Sequence, residues 1–335
     1  MRMRFTALAA AALAAATVLS GCGGSSGTDA GSGGDGGSGK PFKVIAFTSG
    51  NQTPIGAWWV KQVQADAKAN GWDLTMIQGD FDFQKMNPQV ESAIGQGADA
   101  IFDGYTDVAS ISSIVTAAKD SDIPIFAVDA GTEANDAFAL NVTSNQQGIA
   151  DQTVQEISKQ LGGLQGKNVM VIGHDPHPGI RMRASLAEAE LKKAGANIAG
   201  GSIQKVKSPA TGRTEALALV SDYLTANPGG LDAVWVGWDD AALGAAQGVS
   251  ESGSKAIVTG CDASSEAIAA IQSGTSPLVA TVEQPWPSVN KTVEDAILAY
   301  QKDGTKPSET FDAVDTTLVT KDNAASITPS DKLGS

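Results

Sequence analysis

The chain has 335 residues, and its 23 Lys and Arg against 37 Asp and Glu give a formal net charge of −14. An acidic body has no surface that follows nucleic-acid phosphates, so the composition excludes a nucleic-acid partner. After the first twenty residues, no hydrophobic run in the sequence approaches the length of a membrane span.

The N-terminal segment is typical of an export signal. Residues 1–4 are basic, residues 5–19 form an almost unbroken Ala, Leu and Val run, and the run ends in Leu-Ser-Gly-Cys at Cys22. This length suits a signal peptide better than a bilayer span. The end resembles the bacterial lipobox, in which the cysteine is lipidated and the chain is cut before it. An ordinary secretory signal with a chance cysteine is the alternative.

Residues 23–40 are mostly Gly and Ser, a composition that cannot bury enough apolar surface to become ordered. We therefore predict a signal peptide over residues 1–22, a flexible tether over 23–40, and anchoring of lipidated Cys22 at the outer face of the cell membrane. The second cysteine, Cys261, is left without a partner, so no disulfide is expected in the mature chain.

The body alternates short apolar runs with longer amphipathic ones. In the first half of the body, strands alternate with helices, and the half ends in a short strand at 137–142. The predicted strands are 43–48, 73–78, 99–103, 124–129 and 137–142, and the predicted helices are 55–70, 85–96 and 108–119.

The same alternation then begins again. The predicted helices of the second half are 148–161, 183–194, 214–226, 241–252, 265–273 and 287–301, and its predicted strands are 167–173, 198–206, 232–237, 256–260, 278–282 and 316–319. Strands separated by helices of this length indicate parallel sheets covered on both faces. We predict an α/β fold of two Rossmann-like lobes.

Ligands of such sheets bind beyond the carboxyl ends of the strands. In this sequence those ends carry carboxylates, amides, an Arg and several Trp residues, which suit ligand hydroxyls and the apolar face of a sugar ring. Each residue alone has a simpler explanation. Asp107 and Asp240 could be only helix N-caps, and the Trp58–Trp59 pair could be only core. The His174–His177 turn, which is Pro-rich, could be only a rigid turn.

Several of these segments resemble the periplasmic ribose/galactose-type sugar-binding proteins, relatives of the sensor half of LacI-type repressors. The resemblance covers nearly all of residues 43–320. It is carried by Thr48 followed by Pro54 and the Trp pair, and by seven further segments. These are DAIFDGYTD (99–107), IPIFAVDAG (123–131), NVTSNQQG (141–148), RMRASL (181–186), DAVWVGWDDAALGA (232–245) with VTGCDAS (258–264), and VATVEQP (279–285).

The resemblance implies a type I clamp of two lobes joined by three strands, with crossings near Thr143, Gln284 and Val314. Lobe 1 is expected to hold residues 41–143 plus 285–313, and lobe 2 residues 144–284 plus 314–335. The resemblance also implies a set of ligand-binding residues. These are Thr48, Trp58, Trp59, Asp103, Asp129, Thr143, Arg183, Trp238, Asp262 and Gln284.

Three positions depart from the family pattern. Ala130 stands where an Arg often follows the first-lobe Asp, Trp238 replaces the Asn of an Asn-Asp motif, and Cys261 replaces an aromatic residue. The cleft thus loses two hydrogen-bonding groups and gains an indole, which favours a ligand that is flatter, larger or poorer in hydroxyls than a simple pentose.

We predict a monomeric solute-binding lipoprotein that passes a monosaccharide-like ligand to an ABC importer, with no cofactor or metal. An enzyme is the first alternative, but the sequence has no Walker loop, no HExxH, no GxSxG elbow and no Cys/His cluster. A transcriptional regulator would need a basic helix-turn-helix where the signal peptide stands. Two alternatives within the fold stay open: a polyol, signal molecule or heterocycle as ligand, and a membrane sensor as partner.

Overall fold

The computed structural model describes residues 40–334. The predicted signal peptide, lipidated Cys22 and almost all of the predicted tether lie outside these residues. Within the described part of the chain, no helix is both long and apolar enough to cross a bilayer.

The body contains nine helices and thirteen strands among the described residues. The helices are α1 (Pro54–Asn70), α2 (Phe83–Gly95), α3 (Ser112–Asp120), α4 (Gln146–Leu161), α5 (Pro178–Lys193), α6 (Gly212–Ala226), α7 (Asp239–Glu251), α8 (Ser265–Ser273) and α9 (Trp286–Asp303). The strands are β1 (Lys43–Thr48), β2 (Asp73–Gln78), β3 (Ala100–Gly104), β4 (Ile125–Val128), β5 (Leu140–Ser144), β6 (Asn168–Gly173), β7 (Asn197–Ile198), β8 (Gln204–Lys205), β9 (Ala233–Val236), β10 (Ile257–Thr259), β11 (Leu278–Glu283), β12 (Phe311–Val314) and β13 (Thr317–Thr320).

The strands form two sheets. The first has the order β12-β5-β4-β3-β1-β2, and the second has the order β13-β11-β10-β9-β6-β7, with β8 also paired to β6. Every pair is parallel except β11 with β13, which is antiparallel. We call the body built on the first sheet lobe 1 and the body built on the second sheet lobe 2. The predicted α/β fold of two parallel-sheet lobes is confirmed.

Each sheet has an apolar core on both of its faces. In lobe 1, one face packs against α1 and α9 and the other against α2 and α3. In lobe 2, one face packs against α6, α7 and α8 and the other against α4 and α5. Helices cover both faces of each sheet, so a ligand cannot reach those faces. In sheets of this kind, ligands bind at the loops that follow the carboxyl ends of the strands.

Four elements differ from the sequence prediction. The predicted strand 198–206 is two short strands, β7 and β8, and α3 begins at Ser112 and not at residue 108. Helix α5 begins at Pro178 and not near residue 183, because proline is well suited to the first turn of a helix and His177 caps it. Strand β12 was not predicted as a strand. It pairs with β5 at the edge of lobe 1, and Asp312 and Ala313 within it are exposed, so its sequence lacks the apolar run of a buried strand.

The chain passes between the sheets after β5, after β11 and again between β12 and β13. Hydrogen bonds join the first and third passages: the Asn145 backbone N–H donates to the Val314 carbonyl at 2.8 Å, and the Asn145 amide donates to Asp315 at 3.0 Å. A small buried cluster of Ile149, Cys261 and Val282 packs beside them. The passages therefore lie together, next to the ends of the strands.

Candidate functional site

Three residues at strand ends have left-handed backbone conformations. The φ angles are 61° at Tyr105, 55° at Asp129 and 127° at Asp262. In each case the backbone N–H still donates to the neighbouring strand: Tyr105 to Val128 at 2.8 Å, Asp129 to Val142 at 2.9 Å and Asp262 to Val282 at 2.8 Å. A positive φ is costly for residues other than glycine and is concentrated at functional sites. A residue with a positive φ therefore follows strands in both lobes and sets two Asp side chains beyond the sheets.

Asp129 begins a chain of hydrogen bonds that leads out of lobe 1. Its Oδ1 accepts from the hydroxyl of Thr143, and the Gln146 amide nitrogen lies 3.5 Å from the same hydroxyl oxygen. The Gln146 carbonyl oxygen then accepts from Arg183 Nε at 2.8 Å. Thr143 ends β5 and Gln146 begins α4, so the first passage between the sheets carries the connection.

Arg183 continues the chain into lobe 2. Its Nη2 donates to Gln284 Oε1 at 3.3 Å, and Gln284 Nε2 donates to Asp262 Oδ1 at 2.7 Å. Its Nη1 donates to the Gly237 carbonyl at 3.1 Å and lies 3.0 Å from the Cys261 sulfur. The side chain of Arg183 is only 2% exposed. We call Asp129, Thr143, Gln146, Arg183, Gln284 and Asp262 the polar network.

Five of the ten predicted ligand residues thus belong to one connected network, which joins both lobes through two of the passages. Gln146 is the member that the sequence prediction missed. Its position at the start of α4, three residues after Thr143, was the available signal, because the first turn of a helix that follows a strand end lies beside that end.

A histidine from lobe 2 faces the Asp of lobe 1. His177 Nε2 lies 3.6 Å from Asp129 Oδ2, while His177 Nδ1 accepts the Ile180 N–H at 3.3 Å as the N-cap of α5. Because Nδ1 is an acceptor, the proton of the neutral ring is on Nε2 and points towards Asp129. Burial lowers the pKa of His177, against the opposing effect of Asp129, so the ring is neutral at pH 7. The Pro-rich turn is therefore also a cross-lobe contact.

An aromatic group lies beside Asp129. The ring of Tyr105 meets the ring of Trp59 edge to face at 6.2 Å and the ring of Trp286 at 5.3 Å. Within the described residues, the Nε1 atoms of both tryptophans and the Tyr105 hydroxyl are buried without a hydrogen-bond partner. Burial raises the pKa of Tyr105, and the Asp129 charge adds to the rise. Such orphaned groups are uncommon and costly, and a polar ligand would relieve them.

Asp103 is a fully buried carboxyl at the end of β3. Its Oδ2 accepts from Thr106 at 2.6 Å, and its Oδ1 has no partner among the described residues. Burial raises its pKa to about 8. The group is therefore largely protonated at neutral pH and can donate a hydrogen bond as well as accept one.

Asp262 lies close to a second buried carboxyl, Asp239. Burial raises the pKa of Asp262 to about 7, and the Asp239 charge adds to that rise. Burial also raises the pKa of Asp239 to about 6, and the charge of the neighbouring Asp240 adds to it. Asp239 accepts from the Ser264 N–H at 2.7 Å and from Thr281 at 2.6 Å. These bonds fix the loop that carries Asp262.

The remaining predicted residues lie apart from the polar network. Thr48 Oγ1 accepts the Gly50 N–H at 3.1 Å and so holds the β1–α1 loop. Trp58 and Trp59 both lie in the lobe 1 core, and Trp238 packs in the lobe 2 core with its ring 6.3 Å from that of His174. Their contact with a ligand stays a prediction.

Asp107 accepts from the Ala109 and Ser110 N–H groups, as a cap does, whereas Asp240 pairs with Arg213 at 2.8 Å.

The described residues contain no group of three or more His, Cys, Asp or Glu side chains that could hold a metal ion. The arrangement consists of hydrogen-bond donors and acceptors next to indole and phenol rings. Such an arrangement can bind a small polar molecule by hydrogen bonds.

Comparison with known proteins identifies the family. The periplasmic binding protein domain matches residues 45–304. The chain belongs to this family. Over 259 residues it is 27% identical to the ribose import binding protein of Bacillus subtilis, spanning 77% of this chain and 81% of that protein. Over 265 residues it is 29% identical to the xylitol-binding protein of Mycolicibacterium smegmatis, spanning 77% of this chain and 71% of that protein.

A solved structure gives the same fold. The ABC transporter solute-binding protein of Agrobacterium vitis with bound allitol has a TM-score of 0.76 at 22% identity, and the match covers 86% of this chain and 98% of that one. The predicted resemblance to ribose/galactose-type periplasmic binding proteins, with their two-lobe fold, is therefore confirmed.

The raised pKa of Asp103 makes a prediction about stability. A carboxyl that holds its proton more tightly when folded contributes fully below its unfolded pKa of 3.8, and this contribution is lost as pH rises towards about 8. The melting temperature of the ligand-free protein should therefore fall between pH 5 and pH 9. Asp103→Asn keeps a neutral acceptor for Thr106, so the melting temperature of this variant should fall less. The melting temperatures of the two proteins, plotted against pH, should therefore separate by several degrees at high pH. A difference in melting temperature that stays the same from pH 5 to pH 9 would contradict the raised pKa of Asp103.

Proposed function

We propose that this protein is an extracytoplasmic solute-binding protein that captures a small sugar-like ligand between its lobes and delivers it to an ABC importer. The observation that carries the proposal is the polar network, which joins acceptors of both lobes to one buried Arg183. Membership of the periplasmic binding protein family supports binding rather than catalysis.

The proposed ligand class is a sugar or a sugar alcohol. One curated relative is a ribose-binding and another a xylitol-binding protein, and the Agrobacterium vitis structure holds allitol. These molecules share a short carbon chain that carries several hydroxyls. Each hydroxyl both donates and accepts, which suits a site that mixes carboxylates, amides and a guanidinium.

Within this site, Asp129, Asp262 and Arg183 would bind ligand hydroxyls, with Asp103, Thr143 and Gln284 completing the hydrogen bonds. Thr48 would hold the first loop in place. Trp58, Trp59 and Trp238 would form apolar walls. Since the groups come from both lobes, a ligand touches all of them only in the closed arrangement and thereby favours closure.

The lobe boundaries belong to the same proposal: residues 41–143 plus 285–313 for lobe 1, and 144–284 plus 314–335 for lobe 2. Crossings near Thr143, Gln284 and Val314 agree with the change of sheet after β5, after β11 and after β12. They would act as the hinge, and the hydrogen bonds of Asn145 would keep two of its strands together.

A ligand screen tests the proposal directly. Protein lacking residues 1–40 should be stabilised by ribose, xylitol, allitol or another compound of this class, because a ligand at a hundredfold excess over its Kd adds about 2.7 kcal/mol. Asp129→Asn and Asp262→Asn should each weaken binding by about 10- to 100-fold, since each replaces a carboxyl oxygen with an amide nitrogen that cannot accept a hydrogen bond. The measurement is a thermal-shift screen followed by calorimetric titration of the hit.

The control is Asp120→Asn, the same change on an exposed residue of α3 in lobe 1. It should bind like the unchanged protein. Binding of a heterocycle or peptide in place of every sugar and polyol would refute the ligand class. If Asp129→Asn and Asp262→Asn both bound the ligand as tightly as the unchanged protein, the proposed site would be refuted.

His177 and Asp129 would form a clamp for one ligand hydroxyl. A donor from lobe 2 faces an acceptor of lobe 1, and a hydroxyl between them could accept from His177 and donate to Asp129. The 3.6 Å gap between the two atoms is longer than a good hydrogen bond, so neither group is fully satisfied by the other.

Two substitutions of His177 separate this role from helix capping. Asn is a strong N-cap residue but is too short to reach Asp129, so His177→Asn should keep the melting temperature and bind the ligand about 3- to 10-fold more weakly. His177→Ala should show the same loss of affinity and also lose about 1 kcal/mol of stability with the cap. Calorimetric titration and thermal denaturation give the two quantities. Unchanged affinity in His177→Asn would leave capping as the only role of this residue.

The lipid anchor is proposed from the sequence of residues 1–22. The Leu-Ser-Gly-Cys ending, the basic start and the Gly- and Ser-rich segment that follows support a lipidated Cys22 that holds a monomeric receptor at the outer face of the membrane. A receptor on a tether would stay within reach of the importer.

Cys22→Ser should move the protein from the membrane fraction to the soluble extracytoplasmic fraction, because no acyl chain could then be attached. Cys261→Ser serves as the control, since Cys261 is buried and should leave the distribution unchanged. Fractionation followed by immunoblotting measures both. Membrane retention of the Cys22 variant would show that another signal holds the protein there.

A further inference from the structure

Residues 330–334 contact both lobes at a place that none of the three passages explains. The segment follows β13 of lobe 2 and begins with a 3-10 turn over Ser330–Lys332. The Ser330 N–H donates to the Ala263 carbonyl at 3.0 Å, and Asp331 Oδ1 accepts the Ser265 N–H at 2.7 Å. Ala263 directly follows Asp262 and has a φ of 52°. The segment thus holds the loop that carries a proposed ligand acceptor.

The other end of the segment reaches lobe 1. Leu333 packs against the lobe 1 core that contains Trp58 and Trp59 of α1. Gly334 lies on the indole edge of Trp58, where a Cβ would be 3.2 Å from Cδ1 of the ring. Hydrogen bonds therefore attach the segment to lobe 2, and apolar packing attaches it to lobe 1.

We propose that residues 330–334 form an interlobe latch that stabilises the closed arrangement of the lobes and links the Asp262 loop to α1. The inference rests on the proposed function in one respect, which is that the lobes open and close around a ligand. It adds a non-covalent connection to the three covalent passages.

The latch releases at its lobe 1 end. The chain before it is fixed to lobe 2 by the pairing of β13 with β11 and by the packing of Ile327 on the lobe 2 core. Its apolar contact with the core around α1 is made by Leu333, and Gly334 lies beside the Trp58 ring. Opening of the cleft therefore draws Leu333 away from Trp58 while Ser330 and Asp331 stay with the Asp262 loop. Because the contact exists only in the closed form, it shifts the population towards that form.

The test compares two apolar truncations in the same segment of the full protein. Leu333→Ala removes the contact with lobe 1. Ile327→Ala is the matched control, because its side chain packs on the lobe 2 core and not on lobe 1. Leu333→Asp is a stronger version of the first change. Thermal denaturation verifies that every variant is folded before comparison.

Two readouts are measured on each variant. Small-angle scattering of the ligand-free protein gives the radius of gyration, which should rise in both Leu333 variants and stay unchanged in Ile327→Ala. Calorimetric titration with the sugar or polyol found in the screen should show Kd rising about 3- to 10-fold for Leu333→Ala only, because affinity falls with the closed fraction.

The outcomes separate the latch from the proposed function. A rise in either quantity that is confined to the Leu333 variants supports the latch. Equal radius and equal affinity across Leu333→Ala, Ile327→Ala and the unchanged protein would overturn it. If no compound of the panel binds the unchanged protein, the ligand class fails, and the radius of gyration alone decides the latch.

Discussion

The buried guanidinium of Arg183 holds together the lobe 2 side of the junction between the lobes. A buried cation is tolerated only when its donors are satisfied. Its five hydrogen-bond partners in the described part of the chain are Gln146, Gly179, Gly237, Cys261 and Gln284, all of them neutral. Two of these, Gln146 and Gln284, lie at passages between the sheets, and Gln146 continues to Thr143 of lobe 1. A ligand oxygen near Nη2 would be strongly favoured, because no carboxylate among the described residues bonds the cation directly.

The two lobes present similar chemistry to the space between them. Asp129 and Asp262 each follow a strand with a positive φ, donate their backbone N–H to the next strand, and accept from the first polar side chain of a passage, Thr143 or Gln284. Parallel sheets place such ends at one edge. The repetition gives one acceptor in each lobe, and in the proposed site His177 and Arg183 would supply donors to the same ligand. A molecule with hydroxyls on opposite sides meets a partner from each lobe.

The proposed closure would depend on contacts that form only when the lobes come together. The facing pair of His177 and Asp129 is one, and the contact of residues 330–334 with α1 is another. Both are weak, since the first is longer than a hydrogen bond and the second is a small apolar contact. Weak contacts suit a receptor that must open again to release its cargo, because a strong closed state would hold the ligand and also close without it.

The sequence by itself determined the alternation of strands and helices, the two-lobe fold and most of the polar network, because strand periodicity places Asp129, Thr143, Asp262 and Gln284 at strand ends, and the family motifs single them out. It did not determine β12, whose edge position removes the apolar pattern, nor the start of α5 at Pro178. Only the tertiary structure decided that His177 faces Asp129, that Gln146 bridges to Arg183, and that Leu333 lies against α1. These pairs are far apart along the chain, and whether such side chains meet depends on how the two sheets are positioned, which no local pattern records.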